Sequence, residues 1–187
     1  NGPLVEKYPE LEDSYGKFGL VDTSLQHQLR DGKYQQRFEG GVRSACFVKW
    51  PGMINAGAVN QNIYSGVDLF TSFLQVAGAE VPTGRVIDGK PMIESIITNK
   101  LVRNTFYAFA PQKEVQGVRY NNWKLVIDKR AGKNILLLFD LATDAKEKNN
   151  IGGANQAIVD ALYTLALQAQ KAVEENKPLS ETNSFNF

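Results

Sequence analysis

The chain has 187 residues, 43% of them hydrophobic and 22% charged, with a formal net charge of +1. That balance is ordinary for a globular protein and supplies no net field to steer a nucleic acid or a membrane surface. A single histidine and a single cysteine exclude a His-rich zinc site and an internal disulfide, and no apolar run approaches the ~20 residues of a membrane-spanning helix.

Residues 1–43 are rich in glycine and charge, keep no sustained period, and read as an exposed, site-facing segment. Residues 44–50, "SACFVKW", turn abruptly apolar and stop at Pro51-Gly52. They predict a strand buried on both faces, as in a mostly parallel sheet. Cys46 within it reads as a small core side chain, since Ala45 and Phe47 offer nothing to activate a thiol.

"YSGVDLFTSFLQVAGAEVP" predicts a helix, with Val67, Phe70, Leu74 and Ala77 at helical spacing. Ser65 is the candidate N-cap, Asp68 completes a box-like start, and Gly78 ends the helix ahead of Pro82. A second short helix is expected over residues 91–98, after Asp88-Gly89.

From Asn104 the pattern changes. "NTFYAFAP", "EVQGVRYN", "NWKLVID" and "NILLLFDLA" are four short β-rich runs separated by turn residues, and Gly132 suits a hairpin connector. They predict an antiparallel meander. "QAIVDALYTLALQAQKAVEEN" predicts a long amphipathic helix, with Ile158, Leu162, Leu165, Ala169 and Val173 on the face that packs on the sheet. The tail "SETNSFNF" is expected to wrap over the surface. The fold class is therefore α/β: the end of an α/β domain over residues 1–103, then a small α+β subdomain over 104–187. One strand and one helix do not complete a sheet, so the chain reads as the C-terminal piece of something larger.

The ordered set "NGP" (1–3), "GK" (32–33), "EGGVR" (39–43), "WPG" (50–52), the helix over "SGVDLFTSFLQVAGAEVP", "IDG" (87–89), "GVRYNNWKLV" (117–126) and "LFDLATDAKEKNNI" (138–151) resembles the second half of the sulfatase family. The resemblance implies an alkaline-phosphatase-like fold that hydrolyses sulfate esters of aryl or carbohydrate type. It implies a formylglycine nucleophile, made from the cysteine or serine of a C/S-x-P-S/A-R motif, and a calcium ion that binds the sulfate oxygens. Asn1 matches the Asn ligand of that calcium. Lys33 matches the lysine that contacts the sulfate and the nucleophile's oxygen, which gives it both a catalytic and a substrate-binding role.

A hard cation with oxygen ligands and a fixed ammonium both suit the negative charge that builds up during sulfate-ester cleavage. Arg43 reads as a residue that pairs with a carboxylate such as Glu39 and shapes the turn. His27 lies in a stretch longer than most relatives carry before Gly-Lys. It reads either as a proton donor to the leaving group or as a solvent-facing residue.

No C/S-x-P-x-R occurs in these 187 residues. The nucleophile and the first two metal aspartates are therefore expected on an N-terminal part of the same sulfatase, whether a separate or cleaved chain or the rest of a longer protein. Two other readings stay open: a phosphoester hydrolase of the same superfamily, and a non-catalytic sulfatase-like subunit. The expected partners are that N-terminal part and a sulfated small molecule or glycan, with homo-oligomers permitted and no nucleic acid. The family's usual locations are secreted, periplasmic or lysosomal.

Overall fold

The structure, a computed structural model, describes residues 29–30 and 36–179. Asn1, His27, Lys33 and the 180–187 tail lie outside the described residues.

The meander forms as expected. Strands β1 (Thr105–Phe109), β2 (Val115–Tyr120), β3 (Trp123–Arg130) and β4 (Lys133–Asp140) pair in sequence order, all antiparallel. The β3–β4 hairpin closes with Arg130 opposite Lys133, and its two turn residues, Ala131 and Gly132, lie at φ 49° and 76°. That is the left-handed pair a tight hairpin needs, and Gly132 supplies half of it without a Cβ penalty. At the β2–β3 hairpin Tyr120 faces Trp123, and Asn121 takes positive φ.

Alternation along the strands gives the sheet two faces. On one face Tyr107, Val118, Tyr120, Leu125, Ile127 and Leu138 form a core with the helix Gln156–Glu174. That helix contributes Ile158, Val159, Leu162, Leu165, Ala166 and Ala169, all buried. The expected stripe is present and widened by Val159 and Ala166; Val173 is half-buried.

The second face is also covered. Residues 36–43 lie across it, and α1 (Glu39–Val42), a single helical turn, sits among them. Phe38 packs there with Val126 and Phe139. Gly117 of β2 accommodates this approach: a Cβ at that position would lie 3.5 Å from the Arg37 carbonyl oxygen.

Two further helices lie between α1 and the meander. α2 (Asp68–Val76) and α3 (Ile93–Thr98) match the two expected helices. The box-like start of α2 is half realised: the Asp68 carboxylate accepts the Ser65 backbone N–H at 2.7 Å. Gly78, at φ 66°, ends it. Asp68 is buried and also accepts the Lys90 N–H and an Arg103 guanidinium nitrogen.

The strand expected over residues 44–50 does not form. Residues 43–49 are exposed, Phe47 is 94% accessible, and Cys46 is an exposed free thiol rather than a core side chain. The physical reason is a lack of neighbours: no strand among the described residues pairs with this one, and a strand buried on both faces needs both covered. α2 shows the same inversion. Its buried residues are polar (Asp68, Thr71, Ser72), while Phe70, Phe73 and Val76 face out.

Candidate functional site

The described residues that stand nearest in sequence to Lys33 are Arg30 on one side and Gln36 and Arg37 on the other. Both flanks are tied to the meander. On the far flank the Arg37 guanidinium pairs with the buried Asp128 of β3. Glu39, 3% exposed, places one carboxylate oxygen 2.7 Å from the Lys124 ammonium and the other 2.9 Å from the Arg119 guanidinium. On the near flank the Arg30 guanidinium stacks over Phe38, 4.0 Å from its centroid. The Gly40 N–H donates to the Arg30 carbonyl at 3.0 Å, joining the two flanks.

The electrostatics follow from burial. Lys124 is fully inaccessible yet sits in β3 ahead of the buried Leu125 and Val126. An unpaired ammonium there would be prohibitive, and the Glu39 carboxylate compensates it. Burial alone raises the Glu39 carboxyl, but the charges of Lys124 and Arg119 outweigh it and hold the group below the usual carboxylate range.

A second acid closes the cluster. Glu147 is fully buried, and its Oε2 accepts the Glu39 backbone N–H at 2.8 Å. Its other oxygen, Oε1, is buried without a hydrogen-bond partner among the described residues. Burial pushes this carboxyl up to about 7, with the nearby Glu39 charge adding to the rise while Lys124 and the donated N–H oppose it. The Glu147 backbone carbonyl accepts from the Arg30 guanidinium at 2.7 Å. One residue therefore bonds both flanks.

Sequence reasoning placed Glu39 at the turn but gave it Arg43 as partner. The ion pairs of Glu39 run instead to Lys124 and Arg119, from strands about 80 residues later. Arg43 is exposed and shapes the turn through its backbone, donating N–H to the Glu39 carbonyl at 2.8 Å. Lys124 and Glu147 carried a signal: a lysine inside an apolar strand needs a buried partner.

Among the described residues no group of three His, Cys, Asp or Glu side chains could hold a metal ion. Nor is any helix among them long and apolar enough to cross a membrane. An open groove of about 580 Å³ lies between the Gln156–Glu174 helix and the meander, lined by Glu114, Lys129, Tyr163 and Gln170 among others. It gathers no acid–base or ligand cluster.

The decisive comparison is a family model described as N-sulphoglucosamine sulphohydrolase, C-terminal, which matches residues 27–172. The chain belongs to the sulfatase family. Its similarity to N-acetylgalactosamine-6-sulfatase of Sus scrofa is 28% identity over 171 residues, covering 77% of this chain and 33% of that protein. The Homo sapiens protein of the same name is 39% identical over 108 residues, covering 57% of this chain and 18% of the relative. Arylsulfatase G of Mus musculus is 32% identical over 132 residues, covering 66% and 24%. This sulfatase chain thus spans a third or less of the curated relatives it matches.

Solved structures agree on the fold. A Bacteroides thetaiotaomicron structure, described with the metabolism of multiple glycosaminoglycans, superimposes with a TM-score of 0.67 at 21% identity, covering 78% of this chain and 32% of that one. A Pseudoalteromonas sulfatase gives 0.66 at 22%, covering 81% and 34%. The fold is the C-terminal end of a sulfatase α/β domain followed by a four-stranded antiparallel sheet and its long helix.

Proposed function

We propose that this chain is the C-terminal portion of a sulfatase that hydrolyses carbohydrate or aryl sulfate esters. Residues 1–103 close the catalytic α/β domain and 104–187 form its subdomain. The observation that carries the reading is the family match over residues 27–172. Relatives named for N-acetylgalactosamine-6-sulfate chemistry support a carbohydrate sulfate. So does a structure 25% identical to this chain (TM-score 0.64, covering 82% of this chain and 34% of that one), which holds a neocarrahexaose.

In this reading Lys33 contacts the sulfate and stabilises charge on its oxygens as the ester bond breaks. Asn1 offers a side-chain carbonyl to calcium. The remaining ligands and the formylglycine are assigned to the N-terminal part, since the C/S-x-P-x-R motif that the resemblance implies does not occur in these residues. Calcium, when bound, offsets the sulfate's negative charge. His27 stands as a donor to the leaving group. The exposed apolar residues 45–48 and the outer face of α2 support an upstream polypeptide that covers them. A secreted, periplasmic or lysosomal setting goes with this function.

The test is an assay of the full-length protein on 4-methylumbelliferyl sulfate and on a 6-sulfated N-acetylhexosamine, with and without chelator. We expect turnover that chelator removes, with Lys33→Ala lowering kcat about 10²-fold. Hydrolysis of the matching phosphate ester alone would transfer the protein to phosphoester chemistry. No turnover of either ester, with no formylglycine found in the upstream chain, would make it a non-catalytic subunit.

A further inference from the structure

The groove between the helix Gln156–Glu174 and the meander takes no part in the chemistry proposed above. It holds no acid–base pair or metal-ligating set, so it is no second catalytic centre. Its lining is that of a binding site. Tyr163, Ala166 and Gln170 recur at i, i+3 and i+7 of the helix and so share one side, about 10 Å long. The meander contributes Gln116 of β2, Lys129 of β3 and Asn134 of β4. The volume of about 580 Å³ falls in the range of small-ligand sites, about 300–1,000 Å³.

Two features define what binds. The first is a held aromatic ring. Tyr163 is half-buried and packs against the helix–sheet core, and its hydroxyl accepts the Asn134 side-chain N–H at 3.0 Å. The hydroxyl hydrogen stays available to a ligand. A ring fixed before binding loses little freedom when a flat apolar face, such as the C–H face of a pyranose, lies on it.

The second is the polar lining. The side-chain amides of Gln116, Asn134 and Gln170 each donate and accept, as sugar hydroxyls do. Gln170 is anchored: its oxygen accepts the Val115 backbone N–H at 2.9 Å, and its nitrogen donates to Glu174 at 3.0 Å. The charges of the lining cancel, Lys113 and Lys129 against Glu114 and Glu174, with Lys129 and Glu114 paired at 3.0 Å. Such a surface exerts no net pull on an anion.

We infer that this groove is a saccharide-binding subsite for an uncharged stretch of a glycan chain. The inference rests on the reading of the substrate as a carbohydrate sulfate. The groove holds sugars that bear no sulfate, and so raises the effective concentration of the sulfated units on the same chain.

The experiment uses the full-length protein and neocarrahexaose stripped of its sulfates, an uncharged probe. Amide hydrogen exchange with millimolar probe should show protection over residues 112–116 and 163–174. In calorimetric titrations Tyr163→Ala should raise Kd about tenfold. Tyr163→Phe keeps the packed ring and loses only the hydroxyl, so it should raise Kd about threefold. No protection at these residues, or a Kd that Tyr163→Ala leaves unchanged, overturns the subsite. Groove binding by a protein that turns over no sulfate ester keeps the subsite and removes the proposed function. Turnover without groove binding does the reverse.

Discussion

Glu147 accepts the backbone N–H of Glu39 at 2.8 Å, a bond between residues 108 apart in sequence. Through it, two carboxyls share one buried pocket and take opposite protonation behaviour. Glu39 carries the two cations, Lys124 and Arg119, and stays ionised. Glu147 has no ion pair among the described residues, and burial pushes it up to about 7. Environment alone separates the two acids.

That separation fixes the sign of a pH effect. The folded Glu147 value, about 7, lies above the ordinary 4.5, so folding takes up a proton between those limits. The stability from this position is complete below pH 4.5, declines as pH rises, and is lost through pH 7. The loss is on the order of 3 kcal/mol. Glu147→Gln does not titrate. In urea unfolding of the full-length protein, the variant's gain over wild type should therefore be larger at pH 8 than at pH 4.5. Equal differences at the two pH values would show that Glu147 does not titrate in this window.

Lys124 tests the ion cluster differently. Removing it leaves the Glu39 carboxylate buried with Arg119 alone. Lys124→Met should destabilise the full-length protein by about 3–5 kcal/mol. The double variant Glu39→Gln/Lys124→Met removes both charges and should be more stable than Lys124→Met alone. Denaturation midpoints that fall further in the double variant would contradict a compensated pair.

The C-terminal half was legible because its determinants are local. Strand alternation, the Gly132 hairpin and the Ile158–Leu162–Leu165–Ala169 stripe all lie within a few residues of the elements they specify. The first half was less legible for one physical reason: many of its apolar residues find no packing partner among the described residues. Residues 44–50 carry the composition of a buried strand, and Phe47 is exposed. The Glu39 cluster was half legible. Glu39 and Lys124 each sat in a quoted motif, but no local pattern links residues 85 apart. Arg43, closer in sequence, acts on Glu39 only as the weakest of three charges, behind the direct ion pairs with Lys124 and Arg119. The candidate residues Asn1, His27 and Lys33 came from family resemblance rather than from any periodicity.

Gly89 shows a constraint of close approach. A Cβ there would stand 2.1 Å from the Val67 carbonyl oxygen, at the start of α2. Nothing flexible can yield, because the obstacle is backbone. The next residue, Lys90, donates its N–H to Asp68, so displacement of this stretch of chain also breaks a partly buried bond. Gly89→Ala should destabilise the full-length protein by about 1–3 kcal/mol. Thermal melts of Gly89→Ala and Gly84→Ala make the comparison: a Cβ at Gly84 meets nothing within 4 Å. Matching melts for the two variants would remove the steric argument.

The exposed apolar residues separate the chain from the whole protein. Phe47 and Phe73 are 94% and 65% accessible, and Phe73 lies on the outer face of α2. The curated relatives are at least three times as long as the stretch this chain matches. If upstream polypeptide covers both residues, Phe47→Asp and Phe73→Asp each bury a charge in the full-length protein and should cost about 3 kcal/mol or more. In the isolated 187-residue chain the same changes replace exposed rings with carboxylates. There they should lower light scattering and leave the unfolding midpoint of the meander where it was. Urea unfolding in both contexts decides the matter. A small, equal effect in the two would mean that these faces stay exposed in the whole enzyme, and that the α/β sheet is completed elsewhere.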